Sequence, residues 1–170
     1  MIRTFHSIGQ GAFYTEEFDN FRFVYDCGTD TDGKKRIEKY IKNHFKENDI
    51  INALFISHFH RDHINGLEYL LSNFEVQKVF IPQYDVYEHV LDFMYTDGNL
   101  NSFDTKLTIN PVEAIKSISP KTKVILVKKH MYGDDPEERT IDALNNGDVI
   151  NSGTLLYSCV PNWIFIPINY

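Results

Sequence analysis

The sequence contains only two cysteines, Cys27 and Cys159, among 170 residues. Two cysteines do not make a disulfide framework of the kind that stabilises small secreted domains, so we expect two reduced, buried thiols. No apolar run approaches the roughly 20 residues that a membrane span requires. The amino-terminal stretch also lacks the apolar core behind basic residues that marks a signal peptide. These absences favour a cytoplasmic protein that makes no contact with a membrane.

Positive charge is also scarce, because 17 Lys and Arg face 24 Asp and Glu and leave a net charge of −7. Such a chain has no general attraction to nucleic acid or to an anionic membrane, and it offers no basic patch. Any phosphate binding would be local, through a metal ion or a few basic groups. Apolar residues, by contrast, make up 42% of the chain and aromatic residues 14%. These fractions and the length predict one globular domain over residues 1–170.

The predicted elements begin with strands and continue as alternating helices and strands. Apolar and β-branched patterning predicts strands at 1–8, 12–18, 21–27, 52–58, 78–82, 121–129, 154–160 and 163–168. Apolar residues at helical spacing predict helices at 34–45, 64–74, 84–95 and 110–118. This order indicates an α/β layered domain with helices outside a sheet, in which strand directions can be mixed.

The segment SHFHRDH, residues 57–63, crowds three histidines and an aspartate into six positions. It follows an apolar strand, so it lies at the sheet edge where α/β folds commonly bind ligands. Imidazoles and carboxylates are suitable ligands for zinc, manganese or iron. His58 and His60 point the same way in an extended backbone, whereas Asp62 and His63 diverge at a helix start. The loop can therefore serve two neighbouring metal positions, with His58 and His60 on one and Asp62 and His63 on the other.

This segment, with the glycine that follows it, resembles the H-x-H-x-D-H motif of the metallo-β-lactamase superfamily. The segment FVYDCG resembles the strand-end aspartate of the same superfamily and places its counterpart at Asp26. The resemblance is specific over residues 1–82 and only topological beyond them. It implies an αββα sandwich, one or two metal ions with zinc as the first choice, and hydrolysis by a metal-bound hydroxide. Asp62 and Asp26 are then the candidate catalytic carboxylates, although Asp26 could instead orient a ligand histidine or be a turn residue before Gly28.

The later ligands of that superfamily are hard to find in this sequence. The superfamily adds a histidine, a bridging aspartate and a last histidine at later strand ends. His130, just after a predicted strand and close to Asp134 and Asp135, is the candidate third ligand. No histidine follows it, and His6, His44 and His89 have no partners in the sequence and are expected to be surface or packing residues.

The chain stops just after the apolar strand 163–168. We therefore expect an incomplete sandwich, the amino-terminal half to two-thirds of a longer fold. In that case missing strands or a partner chain would cover the strand 163–168.

Two function classes remain open. The first is a metallohydrolase, or its metal-loop half, and the second is a non-catalytic metal-binding or regulatory module with a degenerate site. The sequence resembles most closely the intracellular competence-type, DNA-processing members and related phosphodiesterases. Arg61, between the predicted ligands, would suit a phosphodiester unless it only faces solvent. We therefore expect a phosphodiester or nucleic-acid substrate, with a small-molecule thioester or lactone as the alternative.

Overall fold

The computed structural model of the chain describes residues 1–96, 98–130 and 137–169. The strands are β1 (Ile2–Phe5), β2 (Gly11–Phe18), β3 (Phe21–Thr29), β4 (Ile50–Ile51), β5 (Ala53–Phe55), β6 (Glu75–Val76), β7 (Lys78–Pro82), β8 (Lys123–Val127), β9 (Glu138–Thr140), β10 (Val149–Ile150), β11 (Leu155–Tyr157) and β12 (Ile164–Phe165). The helices are α1 (Lys34–His44), α2 (Arg61–Ile64), α3 (Leu67–Asn73), α4 (Val86–Phe93), α5 (Phe103–Ile109) and α6 (Pro111–Ile118), and a 3-10 turn covers Ile141–Ala143.

Seven strands form the central sheet in the order β1-β2-β3-β5-β7-β8-β10. The strands β1, β2 and β3 are antiparallel neighbours, as hairpin connections require. From β3 onward each pair is parallel, so the carboxyl ends of β5, β7 and β8 lie at the same edge of the sheet. The prediction of an α/β domain with a mixed sheet is confirmed, and the edge that carries the histidine loop is the one at which parallel strands end.

Side chains alternate between two apolar cores along the central strands. Leu54 faces the core on the helical side, whereas Ala53 and Phe55 face the core on the opposite side. This period of two is what a strand covered on both faces requires. Five of the six helices contribute buried residues to the first core, and α4 packs against α5.

A small sheet of β12, β11 and β9, together with the 3-10 turn, covers the second face of the central sheet. Phe165 of β12 is 8% exposed and packs its ring against those of Phe21 and Phe23. Ile164 and Ile166, which flank it, are 44% and 50% exposed. The layers are therefore helices, large sheet and small sheet. Coverage of the outward side of 163–168 by further strands or a partner chain stays a prediction.

Several element predictions need correction. The predicted helix 64–74 is two helices, α2 and α3, separated at Asn65 and Gly66. The helix α5 was not predicted, because the threonines in FDTKLTI lower its helix propensity. The predicted strand 163–168 is regular only at Ile164–Phe165. Cys27 is buried as expected, but the expectation for Cys159 is wrong because this residue is exposed.

No helix within the described ranges is both long enough and apolar enough to cross a membrane.

Candidate metal centre

Asp26 is the extra residue of a β-bulge in strand β3. Tyr25 pairs with Tyr14 and Cys27 pairs with Phe13, so Asp26 has no residue opposite it on β2. Its backbone has a φ of 51°, in the left-handed region that aspartate and asparagine adopt more readily than most residues. A bulge of this kind re-aims a side chain out of the regular alternation of the strand. The carboxylate of Asp26 consequently points at the loop that follows β5.

Asp26 is completely buried, and its carboxylate is satisfied by the loop that carries the histidines. Its Oδ1 accepts a hydrogen bond from the backbone N–H of Ser57 at 2.8 Å. Its Oδ2 accepts one from the Ser57 hydroxyl at 2.7 Å and lies 2.7 Å from Nδ1 of His63. A buried carboxylate requires partners of this kind. Asp26 cannot touch a substrate, but it fixes the orientation of His63.

Three of the four predicted metal ligands converge. His58, Asp62 and His63 each offer one ligand atom, and these atoms all lie within 4.8 Å of one another. Nδ1 of His58 lies 2.8 Å from the Ser57 hydroxyl, and Nδ1 of His63 is held by Asp26. Nε2 therefore remains as the ligand atom of each ring, and Nε2 of His63 lies 3.6 Å from Oδ2 of Asp62. Histidines that bind metals usually have their other nitrogen held in this way.

The two histidines of this group have opposite pKa shifts. Burial lowers the pKa of His58, and the neighbouring His63 and His60 lower it further, so the ring is neutral and can donate a lone pair. Burial also acts to lower the pKa of His63, but the hydrogen bond and charge of Asp26, with the charge of Asp62, outweigh it and raise the pKa. A metal ion at Nε2 of His63 therefore competes with a proton at that nitrogen, and the charge of Asp26 favours both.

His60 lies beside this group rather than within it. Its ring stands edge-on to the ring of His58, with a distance of 4.6 Å between the ring centroids. Its Nε2 lies 3.4 Å from Oδ1 of Asp92 on α4, and its ring also contacts that of Tyr95. Asp92 also interacts with Tyr84, because burial, then the charge of Asp92 and a hydrogen bond to it, raise the pKa of that phenol. The sequence analysis did not identify Asp92, because no spacing rule connects it with the histidine loop.

Close backbone packing holds the histidine loop against β3. A Cβ atom at Gly28 would lie 2.6 Å from the backbone nitrogen of Ile64, and one at Gly66 would lie 2.8 Å from the carbonyl oxygen of Cys27. The amide of Asn65 donates to the carbonyl of Thr29 at 2.7 Å and accepts from its N–H at 3.0 Å. Only glycine fits at the two contact points. The helix α2 therefore lies directly on the strand that carries Asp26.

Ser57 is a further residue that the sequence analysis missed. Its hydroxyl lies between Asp26 and His58, and so connects the buried carboxylate with the first histidine of the loop. The only indication of this role in the sequence is that Ser57 directly precedes His58.

The predicted third ligand does not join the group. His130 is exposed beyond the end of β8, and its backbone N–H donates to the carbonyl of Asn169 at 2.7 Å. It shares the carboxyl edge of the sheet with His58, but it is not among the residues whose ligand atoms converge. Asp134 and Asp135 lie outside the described residues. A metal-binding role for His130 stays a prediction.

Two clefts adjoin the loop. The larger, of about 460 Å³, lies between the two sheets, begins at Ser57 and is lined largely by aromatic and aliphatic side chains, among them Phe55, Phe80 and Trp163. The smaller, of about 260 Å³, combines the apolar or aromatic side chains of Phe59, Ile64 and Tyr95 with polar and charged ones, which include Arg61 and the Lys34–Asp104 ion pair. The loop therefore adjoins one cleft that is largely apolar, the apolar cleft, and a smaller cleft that carries charged side chains.

Comparison with protein-family models gives a match over most of the chain. The family model of the metallo-beta-lactamase superfamily matches residues 14–149. The matched range contains Asp26, the histidine loop and the three parallel strands β5, β7 and β8. A comparison with curated proteins found no match.

Proposed function

Because the chain belongs to the metallo-β-lactamase superfamily, we propose that it is a metal-dependent hydrolase whose metal centre is built on His58, Asp62 and His63. The observation that carries this proposal is the convergence of these three donors at the carboxyl edge of the sheet. The donor set of two imidazoles and a carboxylate suits zinc first, and manganese or iron next. The orientation of His63 by a buried aspartate supports the same assignment, because hydrogen bonds of this kind fix metal-binding rings.

The residues of the site have two kinds of role, since some position the imidazoles and one can take part in the reaction. Asp26 and Ser57 hold the two imidazoles in place from behind. Asp62 has a side chain that is 21% exposed, so it can contact a substrate water and accept its proton. A bound divalent metal would supply the remaining chemistry, by activating water near neutral pH and by polarising the bond to be cleaved.

A phosphodiester is the substrate class that we favour. Arg61, which precedes Asp62 in the sequence, is exposed at the start of α2 and lines the smaller cleft. A guanidinium matches the geometry of a phosphate with two parallel hydrogen bonds. The ammonium of Lys34 is already held by Glu68 and Asp104 at 3.2 Å each, so Arg61 is the better candidate for contact with an anionic substrate.

A thioester or lactone is the second candidate, and the apolar cleft supports it. A cleft of about 460 Å³ lined by aromatic side chains can hold an acyl chain, and it begins at Ser57 next to the first histidine. In this case the reactive carbonyl would lie at the mouth of the cleft, and Arg61 would not be needed for binding.

The test combines metal analysis with turnover. The full chain, loaded with zinc or manganese, is assayed on bis(p-nitrophenyl) phosphate, on an acyl thioester and on a lactone. We expect phosphodiester hydrolysis and retained metal, and we expect His58→Ala with His63→Ala to abolish both. His89→Gln is the matched control, because His89 lies outside the group and bonds to the carbonyl of Thr108. Metal binding without turnover of any substrate would favour the non-catalytic module instead.

A further inference from the structure

The basic residues of this acidic chain are concentrated on one helix. Six of the 17 Lys and Arg lie within residues 34–46, and the only acidic residue in that range is Glu38. The chain as a whole carries a net charge of −7, so its overall composition hides this local excess. Three of the six are exposed lysines of α1, which we call the lysine stripe: Lys35, Lys39 and Lys42.

The lysine stripe occupies a single face of α1. Its members are separated by four and then three residues, and residues at these spacings are neighbours on the surface of a helix. Each step along the stripe is therefore about one turn, or about 5.4 Å. The result is a regular row of positive charges on the outside of the molecule.

The fold itself gains nothing from these charges. None of the three ammonium groups forms an ion pair with a carboxylate among the residues that the structure describes, whereas Lys34 and Arg36 are paired with Asp104 and Asp32. Like charges three or four residues apart weaken a helix, and a lysine in the first turn opposes the helix dipole. Acidic residues that would offset the dipole are absent from the first turn of α1. The stripe therefore costs helix stability, as is expected of a binding surface.

The stripe begins beside the smaller cleft of the metal centre. Lys34, which directly precedes the stripe, lines that cleft together with Arg61. Along α1 itself, a groove of about 550 Å³ is lined in part by Lys35, Lys39 and Asn43. A row of phosphates that contacts Arg61 can therefore continue along α1.

We propose that the lysine stripe binds the sugar–phosphate backbone of a nucleic-acid single strand and leads this strand to Arg61 and the metal centre. The inference rests on the proposed function for the chemistry at the centre, and it names the substrate as a polynucleotide rather than a small phosphodiester. Proteins that bind single strands follow the backbone with positively charged grooves. Lysine suits this contact, because it is a flexible point charge that does not require a fixed geometry.

An anionic membrane also presents many phosphates, but α1 does not suit it. A helix that lies on a membrane inserts apolar side chains beside its basic ones. Ile37 and Ile41 of α1 are completely buried in the core, and the hydroxyl of Tyr40 donates to the carbonyl of Ser7 at 2.8 Å. The exposed side of α1 therefore offers charge without an apolar face to insert.

The first experiment measures binding of a fluorescent oligothymidylate of about 15 nucleotides. Anisotropy is recorded on the full chain at a series of salt concentrations, in a chelating buffer that prevents cleavage. We expect Lys39→Gln with Lys42→Gln to weaken binding by about 10-fold at low salt and to reduce the slope of log affinity against log salt by about 1.4. Lys116→Gln with Lys121→Gln is the matched control, because it removes the same charge from the last turn of α6 and the turn before β8. Thermal unfolding verifies that each variant folds.

The second experiment compares two substrates of the zinc- or manganese-loaded chain. We expect Lys39→Gln with Lys42→Gln to raise KM for the oligonucleotide by about 10-fold and to leave kcat unchanged. Hydrolysis of bis(p-nitrophenyl) phosphate should not change, because this small substrate does not extend from the centre along α1.

The outcomes separate this inference from the proposed function. Equal affinity and equal salt slope in the stripe variant and its control would overturn the inference, as would a wild type that does not bind the strand. Stripe-dependent binding of phosphatidylserine vesicles without binding of the strand would also overturn it and assign the stripe to a membrane. Stripe-dependent binding of the strand without hydrolysis of any phosphodiester would support the stripe and overturn the proposed function.

Discussion

The carboxylate of Asp26 connects strand β3 with the histidine loop through contacts to Ser57 and His63. None of these contacts is exposed to a substrate, because Asp26 has no accessible surface. Its effect on chemistry is therefore indirect, through the orientation and basicity of the His63 ring.

The substitution Asp26→Asn tests this role. The amide keeps the size of the side chain but removes the charge that raises the pKa of His63 and strengthens its Nε2 as a ligand. We expect zinc affinity to fall by about 10–100-fold, measured by competition with a chelating dye. Asp142→Asn, at an exposed carboxylate on the 3-10 turn, is the control. An unchanged affinity in Asp26→Asn would exclude a positioning role.

A second residue-scale prediction concerns His6 and the pH dependence of the free energy of unfolding. Burial, and then the charge of His44, lower the pKa of His6 from 6.5 to about 4. As the pH falls below 6.5, His6 takes up a proton in the unfolded chain before it does so in the folded chain. The free energy of unfolding is therefore unaffected by His6 above pH 6.5 and decreases as the pH falls from 6.5 toward 4.

His6→Gln should reduce that loss in the metal-free protein. The measurement is urea unfolding at a series of pH values, and the difference between wild type and variant isolates His6 from the other histidines. The same slope in both proteins between pH 6.5 and 4 would show that His6 does not titrate in this way.

At the scale of elements, the sequence predicted strands and amphipathic helices well where the apolar period was regular. The strand 78–82 matches β7, and Asn110 caps α6 by accepting from the N–H of Glu113. The break between α2 and α3 was not predicted, because it depends on contacts of Gly66 and Asn65 with β3. Those contacts join residues far apart in the sequence, and a local pattern carries no record of them.

Gly28→Ala tests the packing of α2 on β3. The added Cβ would lie 2.6 Å from the nitrogen of Ile64 and 2.7 Å from the carbonyl carbon of Asp62, so the loop must shift. We expect a loss of about 1–3 kcal/mol in the free energy of unfolding, together with weaker zinc binding. Gly147→Ala is the control, because a Cβ there meets open space and only the positive φ of 86° is strained. Equal zinc affinity in both variants would contradict the proposed support of the loop by β3.

At the scale of the whole molecule, two apolar cores hold three layers together. The order of predicted elements was sufficient to predict the α/β class and the packing of helices on one face of a sheet. It was not sufficient for the surroundings of the histidine loop, because Asp92 reaches His60 from a helix whose only visible pattern was its amphipathic spacing. Residues of the histidine loop were identified because they are adjacent in sequence, whereas partners from other elements were not.

The packing of the small sheet on the large one depends on Phe165. Its ring contacts those of Phe21, Phe23 and Phe55, and the residue is 8% exposed. Phe165→Ala should lower the free energy of unfolding by about 3 kcal/mol, since burial and packing of a large aromatic ring are lost. Ile166→Ala, at a residue that is 50% exposed, should cost less than about 1 kcal/mol. Equal costs in urea unfolding would mean that the small sheet does not pack as described.

The position of a bound metal is the most direct test of the metal centre. Crystals of the zinc-loaded chain, measured at the zinc absorption edge, give an anomalous difference map that locates each ion without reference to activity. We expect a peak within bonding distance of His58, Asp62 and His63. A map without a peak at the histidine loop, from crystals that contain zinc, would contradict the assignment of this loop as a metal centre.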